Sequence, residues 1–247
     1  MIRMVRIDMH VHTNYSDGVD STKEIIRQAE KLGLDGIGIA DHDTFGGLHE
    51  ALEIETDLII IPGIEVSTCK GHILAYGILE GEIEVGLTPK ETVDIIHKMG
   101  GIAVPAHPFD AIRLGIKKEI YHLNIDAVEV FNGCITLNKF NQKAFRVAQE
   151  LDLPMIAGSD GHSTEEIGNA WTDFLEQPES WQDVLSMILR KESIPIGGRH
   201  PIIPSKIRRF FKAYKKRKER PVPYPWIKQP KQKNNSDPTN DDQEKVT

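Results

Sequence analysis

Six of the ten histidines in this 247-residue chain stand at or just beyond the C-terminal end of a predicted β-strand. The six histidines are His10, His12, His42, His72, His107 and His162, and the acidic residues near them are Asp17, Asp41, Glu65 and Asp160. Histidine and carboxylate side chains together bind Zn, Mn or Fe ions, whereas a zinc site of the finger type requires thiolates. The C-terminal ends of parallel strands converge on one face of a sheet, so residues far apart in the sequence can meet there. The pattern therefore predicts a metal site built from several strand ends.

The spacing of His10 and His12 has a physical reason. Residues i and i+2 of a strand point to the same face, so both imidazoles can reach one cation from one side. Asp160 and His162 repeat this spacing with a mixed pair, and the two oxygens of Glu65 can bridge two ions. Because these residues exceed what one ion needs, we expect two or three divalent metal ions, and the ligand types suit Zn, Mn or Fe.

The histidine pattern also has simpler interpretations than a metal site. A lone His-x-His is more often a pair of half-exposed strand residues than a pair of ligands, so the prediction depends on recurrence at five separate strand ends. A Ser-His-Asp triad could use Ser159 or Ser67, but the chain has no Gly-x-Ser-x-Gly elbow. The phosphate-binding loops Gly-x-x-x-x-Gly-Lys-Ser/Thr and Gly-x-Gly-x-x-Gly do not occur either.

Short apolar runs alternate with amphipathic stretches along most of the chain. Strands are predicted at residues 5–11, 36–40, 58–66, 73–79, 102–106, 127–131 and 154–158, and helices near residues 23–32, 47–55, 88–100, 137–151 and 180–191. This alternation indicates an α/β fold with a mostly parallel sheet, and the number of units in a chain of this length favours a barrel over an open sheet.

The composition is that of an ordinary globular protein, with 39% apolar and 27% charged residues. The two cysteines, Cys69 and Cys134, are too few for a disulfide framework. The N-terminus lacks the organisation of a signal peptide, and the longest apolar run is too short to span a bilayer. We therefore expect a cytoplasmic protein without a transmembrane segment.

The charge divides the chain into two parts. Residues 205–247 contain 13 Lys and Arg against 5 Asp and Glu, whereas residues 1–204 contain 17 against 32. We expect a hydrolase domain over residues 1–204, followed by a basic and then polar tail that is largely disordered. The basic stretch 206–220 includes aromatic residues, and it suits a solvated helix face, a nucleic-acid contact or a membrane-surface helix.

Five motifs carry a family resemblance. They are Asp-Met-His-Val-His-Thr-Asn-Tyr-Ser-Asp-Gly (8–18), Ile-Ala-Asp-His-Asp-Thr (39–44), Pro-Gly-Ile-Glu-Val-Ser (62–67), Ala-His-Pro (106–108) and Gly-Ser-Asp-Gly-His (158–162). In this order they resemble the PHP (polymerase and histidinol phosphatase) family of metal-dependent phosphoesterases, over about residues 5–200. The resemblance implies a distorted (β/α)7 barrel with its metal site at the C-terminal face.

The resemblance also implies a ligand set. One ion would lie among His10, His12, Glu65 and Asp160, a second among Glu65, His72 and His107, and a third among Asp17, His42 and His162. Asp17 stands where other branches of the family carry His, and Asp41 would orient an imidazole from behind.

The implied activity is hydrolysis of phosphate mono- or diesters, on a phosphorylated small molecule or nucleotide, by a hydroxide that bridges two metal ions. His42 or His162 would relay a proton to the leaving oxygen, and Arg199 would meet the substrate phosphate, with Arg113 and Lys117 as further candidates. Three alternatives remain open: a nuclease acting on DNA or RNA ends through the basic tail, a non-catalytic metal- or ligand-binding module, and hydrolysis of a C–N bond.

Overall fold

A computed structural model of the protein describes residues 4–135 and 137–197. The described elements are nine strands and five α-helices, together with a short 3-10 helix at Lys117–His122. The strands are β1 (Val5–Val11), β2 (Gly36–Ile39), β3 (Ile59–Thr68), β4 (Gly71–Tyr76), β5 (Ile102–Pro105), β6 (Val128–Asn132), β7 (Met155–Gly158), β8 (Ala170–Phe174) and β9 (Ser193–Gly197), and the helices are α1 (Thr22–Leu32), α2 (Gly46–Glu53), α3 (Pro89–Lys98), α4 (Asn138–Glu150) and α5 (Trp181–Leu189).

The sheet is curled and mostly parallel. Seven strands follow the order β5-β4-β3-β2-β1-β8-β9, and β6 pairs with β7 in a separate parallel ladder. Strands β1, β2 and β3 are parallel, whereas β4 and β8 run antiparallel to their neighbours. Since β4 and β8 alone run against the direction of β1, seven of the nine described strands point their C-terminal ends the same way.

The two-stranded sheet lies between the outer parts of the larger one. Strand β1 pairs with β8 at its beginning, but at its end it meets the chain that follows β7, where the Asp160 amide donates to the His10 carbonyl at 2.7 Å. On the other side, the Asp126 amide donates to the Ala103 carbonyl at 3.0 Å, which connects the approach to β6 with β5. The ladders among the described residues do not form one closed ring, so the architecture is an α/β half-barrel and the seven-unit barrel stays a prediction.

Local sequence signals explain where two of the helices begin. Ser21 caps α1 and Thr88 caps α3, and each forms a capping box with the glutamate three residues later. Gly33 ends α1 with φ of 68°, a left-handed conformation that glycine adopts without a steric penalty. These bounds agree closely with the helices that the sequence predicts.

The helices bury apolar side chains against the sheet in two clusters. Helices α1 to α4 pack on one cluster, with Ile25 and Ile26 of α1 against Ile37 and Ile39 of β2. Helix α5 packs on the other cluster, which includes Tyr76. This packing fixes the strands from behind and leaves their C-terminal ends free to carry polar residues.

All seven predicted strands are confirmed, and β8 and β9 are two strands that the sequence analysis missed. Both contain polar or proline residues in runs of five, without the apolar pattern that marks the other strands. The predicted tail, 205–247, lies outside the described residues, and the division at residue 204 stays a prediction. No described helix has both the length and the apolar content needed to cross a membrane.

Candidate metal centre

The strand ends place all nine predicted metal ligands around one buried space. These residues are His10, His12, Asp17, His42, Glu65, His72, His107, Asp160 and His162, and each has an acidic or imidazole partner within 3.9 Å. His10 and Glu65 lie in the C-terminal parts of β1 and β3, and His12, Asp17, His42, His107, Asp160 and His162 follow a strand. His72 instead lies near the start of β4, because β4 runs antiparallel to β3 and therefore begins where the other strands end.

Glu65 is the central carboxylate of the site, and its two oxygens face different imidazoles. Oε1 lies 3.1 Å from Nδ1 of His72 and 3.1 Å from Nε2 of His107. Oε2 lies 3.1 Å from Nε2 of both His10 and His12. A carboxylate in this position can bridge two cations, one on each side.

Asp160 completes the group around His10 and His12. Its Oδ1 lies 3.2 Å from His12 Nε2 and 3.8 Å from His10 Nε2, and one ligand atom from each of these residues and Glu65 lies within 4.8 Å of the others. Asp160 has φ of 52°, an uncommon conformation for a residue other than glycine. Such backbone strain is found most often at functional sites.

A second group surrounds Asp17 at the outer side of the site. His162 Nε2 lies 3.0 Å from Asp17 Oδ2, and His12 Nδ1 and His42 Nε2 lie 3.8 and 3.9 Å from Asp17 Oδ1. The Nδ1 atom of His162 lies 2.8 Å from the Asp160 carbonyl, which can only accept a hydrogen bond. His162 therefore carries its proton on Nδ1, and Nε2 is the nitrogen that can bind a cation.

Unpaired nitrogens test whether divalent ions fit these residues. The Nδ1 atoms of His42 and His72 are buried, face Glu65 at 3.5 and 3.1 Å, and make no hydrogen bond of normal geometry. A buried polar atom without a partner is costly, and a lone pair in this state is satisfied when it binds a cation. Together with the convergent carboxylates, this donor set fits divalent metal ions.

Burial and mutual charge shift the pKa values of the histidines in this cluster. Burial alone lowers the pKa of His12, but hydrogen bonds with Asp160 and Glu65 outweigh it and raise this pKa to about 10. The pKa of His10 is also raised, since Glu129 and Glu65 outweigh its burial. For His42, burial dominates and lowers the pKa.

The carboxylates shift in the opposite direction. Burial would raise the pKa of Asp160, but Arg113 and His10 hold it well below its usual range. The imidazoles of His42 and His10 do the same for the pKa of Glu65. Both carboxylates are therefore ionised at neutral pH, which is the state that binds metal.

A pocket of about 290 Å³ opens onto this cluster. It is lined by Asp17, His42, Glu65, His72, His107, Ile112, Arg113, Leu114, Asp160 and His162. Arg113 is largely buried and forms an ion pair with Asp160 Oδ2, so a guanidinium and the carboxylates meet in one pocket. The arrangement can hold several cations and an anion at the same time.

Comparison with known proteins agrees with this geometry. Residues 138–193 match a family model described as PHP-associated. The uncharacterized protein MJ1587 of Methanocaldococcus jannaschii is 34% identical over 166 residues, which cover 57% of this chain and 96% of that protein. A two-domain protein from Bacteroides vulgatus, described as containing a predicted PHP-like metal-dependent phosphoesterase, has the same fold, with a TM-score of 0.69 and 18% identity over 85% of this chain and 70% of that one.

The chain belongs to the PHP family. It is 38% identical to the phosphoribosyl 1,2-cyclic phosphate 1,2-diphosphodiesterase of Eggerthella lenta over 82 residues, which cover 30% of this chain and 31% of that protein. PHP relatives of this kind are phosphoesterases, and the His, Asp and Glu groups of this member suit divalent metal ions.

Glu129 belongs to the same cluster, although it is not among the metal ligands that the sequence predicts. The structure places it, fully buried, behind His10, whose Nδ1 donates to Glu129 Oε1 at 2.9 Å. Its Oε2 accepts from the His107 amide at 2.6 Å and from Asn132 Nδ2 at 3.0 Å. Its signal in the sequence is an acidic residue inside the apolar run Val128–Asn132, at the end where the other site residues lie.

The role expected of Asp41 is wrong, because this carboxylate supports a loop and not an imidazole. Asp41 accepts hydrogen bonds from the Thr13 amide and hydroxyl, both at 2.7 Å, and from the Ser16 hydroxyl at 2.6 Å. It thereby fixes the turn that carries Asp17 toward the other proposed metal ligands.

Of the predicted phosphate-binding residues, Arg113 lines the pocket, Lys117 is exposed and absent from its lining, and Arg199 lies outside the described residues.

Proposed function

We propose that this PHP protein hydrolyses phosphate mono- or diesters with the help of two or three divalent metal ions. The observation that carries the proposal is the position of Glu65, whose two oxygens face separate imidazole groups 3.1 Å away. When bound, the ions would lower the pKa of a water molecule and neutralise charge on the phosphoryl oxygens.

The proposed ligands fall into groups that share residues. His10, His12, Glu65 and Asp160 would hold one ion, Glu65 with His72 and His107 a second, and Asp17 with His42 and His162 a third. His42 also approaches Glu65, with Nδ1 3.5 Å from Oε2, so it stands between the second and third groups. The neighbouring imidazoles keep Glu65 ionised, so both of its oxygens act as acceptors, one toward each group.

Charges within the pocket suit a phosphoryl group. Arg113 contacts one oxygen of Asp160 and presents its remaining donors to the pocket, where they can bind a non-bridging phosphoryl oxygen. His162 has both ring nitrogens engaged, with Nδ1 on the Asp160 carbonyl and Nε2 beside Asp17. The nitrogens of His42 lie farther from their partners, at 3.5 Å from Glu65 and 3.9 Å from Asp17, so His42 is the better candidate to carry a proton to the leaving oxygen when no third ion is bound.

The test removes one ligand at a time. His10→Ala and Asp160→Ala should each abolish hydrolysis of an aryl phosphate mono- and diester and lower the metal content measured by elemental mass spectrometry. The matched control is His122→Ala, because His122 is exposed at the end of the 3-10 helix. Full activity with full metal content in either ligand variant would refute the proposal, and metal binding without turnover of either ester would favour a binding module.

A nuclease is the second candidate, and the charge of the tail favours it. Residues 205–247 contain 13 Lys and Arg against 5 Asp and Glu, a balance that suits contact with phosphate backbones. Deletion of residues 206–247 should weaken binding of single-stranded DNA or RNA and reduce its salt dependence if the chain is a nuclease. If the chain acts on small phosphate esters, the deletion should leave their turnover unchanged.

A further inference from the structure

Two exposed apolar side chains stand at the mouth of the metal pocket. Ile112 and Leu114 are 65% and 61% exposed, and both line the pocket on either side of Arg113. They belong to the loop of residues 110–115, which we call the rim loop. Large apolar side chains are common on protein surfaces, but a pair that shares a pocket with an arginine and metal-binding residues has a defined position relative to any bound phosphate.

Hydrogen bonds hold the rim loop in one shape. The buried carboxylate of Asp110 accepts from the Ile112 amide at 2.8 Å, and the Asp110 carbonyl accepts from the Gly115 amide at 2.9 Å. The Leu114 carbonyl accepts from the His72 amide at 3.2 Å, so the loop is tied directly to a proposed metal ligand. These hydrogen bonds therefore hold Ile112 and Leu114 in exposed positions.

Close packing and backbone conformation support the same conclusion. A Cβ atom at Gly115 would lie 2.5 Å from the Pro108 carbonyl oxygen, so only glycine lets the loop approach this closely. Leu114 has φ of 57°, a conformation that costs energy for a branched side chain. A strained leucine held in solvent beside a pocket is typical of a residue that contacts a ligand.

The dimensions of the pocket indicate what that ligand is. A volume of about 290 Å³ lies at the lower end of the range for small-molecule sites, and it accommodates a phosphoryl group with one ring. The inner wall is charged, with Arg113, Asp160 and Glu65, whereas the rim is apolar on the side formed by Ile112 and Leu114. This gradient matches a phosphate ester that is charged at one end and apolar at the other.

We propose that Ile112 and Leu114 bind an apolar leaving group, so that the preferred substrates are phosphate esters of aromatic or similarly apolar alcohols. This inference rests on the proposed function, because it places the phosphoryl group at the metal centre. The two side chains contact the face of the leaving group while Arg113 and the metal centre hold the phosphoryl end. Esters of small polar alcohols lack this contact and bind more weakly.

The test uses two phosphonates whose P–C bond the proposed reaction does not cleave. Binding of methylphosphonate and phenylphosphonate to the metal-loaded, full-length protein is measured by isothermal titration calorimetry. If about 60 Å² of ring surface is buried at the rim, phenylphosphonate should bind roughly 10-fold more tightly than methylphosphonate. In the double variant Ile112→Ser with Leu114→Ser, this ratio should fall to about 1, with the affinity for methylphosphonate unchanged.

The control is the double variant Leu52→Ser with Leu175→Ser, which removes two apolar side chains that are 49% and 62% exposed and absent from the pocket lining. It should keep the wild-type ratio. A ratio near 1 in the wild type, or an unchanged ratio in the rim variant, would overturn the inference while leaving the proposed function standing.

Two further outcomes would also overturn the inference. If neither phosphonate binds to the metal-loaded wild type, the proposed function fails, and the inference fails with it. If sedimentation shows a wild-type dimer that the rim variant dissociates, the rim loop is an interface between two copies of the chain and not a substrate contact.

Discussion

Glu129→Gln should weaken metal binding although Glu129 is not itself a proposed ligand. The wild-type carboxylate accepts three hydrogen bonds, from His10 Nδ1 at 2.9 Å, the His107 amide at 2.6 Å and Asn132 Nδ2 at 3.0 Å. Glutamine keeps the shape of the side chain but has one acceptor oxygen and one NH₂ group. If the oxygen faces His10, the NH₂ group meets two donors. If the NH₂ group faces His10, the imidazole must move its proton to Nε2, the nitrogen that the cation needs.

The expected magnitude follows from the bonds that are lost. Replacing a carboxylate that orients a metal-binding histidine lowers metal affinity by about 10- to 100-fold, or about 1.4–2.7 kcal/mol. A charge-assisted hydrogen bond of about 1.5–3 kcal/mol gives the same range independently. The loss should therefore exceed the error of a competition titration by a wide margin.

The assay is competition between the protein and a chelator for Mn or Zn, at fixed pH, with circular dichroism to confirm the fold. Glu176→Gln is the matched control, because it removes one negative charge at an exposed position distant from the proposed ligands in the sequence. An affinity of Glu129→Gln within threefold of that of Glu176→Gln would refute the reasoning, since His10 would then not depend on Glu129 for its orientation.

Three further predictions follow from the same site. Without metal, the free energy of unfolding should fall as pH rises from about 6.5 toward 10. The folded state raises the pKa of His12 to about 10, so the stabilisation is lost as this proton dissociates. Thermal unfolding should show the loss in a sample with a chelator and not in a sample with excess Mn. Arg113→Met should weaken inorganic phosphate binding to the loaded protein by about 10- to 100-fold, whereas Lys118→Met should not, and equal affinities in calorimetry would contradict the assigned contact. Gly158→Ala should lower both the metal affinity and the free energy of unfolding, because its Cβ would lie 2.5 Å from the His10 amide nitrogen. The free energy of unfolding should fall by about 1–3 kcal/mol, and a urea unfolding midpoint equal to that of the wild type would contradict this prediction.

The sequence was most informative where one local rule decides the position of a side chain. The i, i+2 spacing of His10 and His12 places both imidazoles on one side of β1, and the capping boxes at Ser21 and Thr88 fix the starts of two helices. These features depend on neighbours within a few residues, so a pattern in the sequence is sufficient to predict them.

Contacts between residues that lie far apart in the sequence were harder to predict from the sequence. Glu129 contacts His10, which lies 119 positions away, and an acidic residue inside an apolar strand does not by itself show which distant side chain it will contact. Arg113 reaches Asp160 from a loop whose shape depends on Asp110 and Gly115. Strand β8 is short and holds its place through partners on both sides, so its own sequence carries a weak signal.

The meeting of β1 with the chain after β7 has a consequence for synthesis of the protein. His12 is made 148 residues before Asp160, although the two side chains lie 3.2 Å apart in the folded protein. At about 5–20 residues per second, the two histidines wait roughly 8–30 s for their last carboxylate. During this interval the nascent chain has only part of the donor set, so the proposed metal site is complete only after most of the domain has been synthesised.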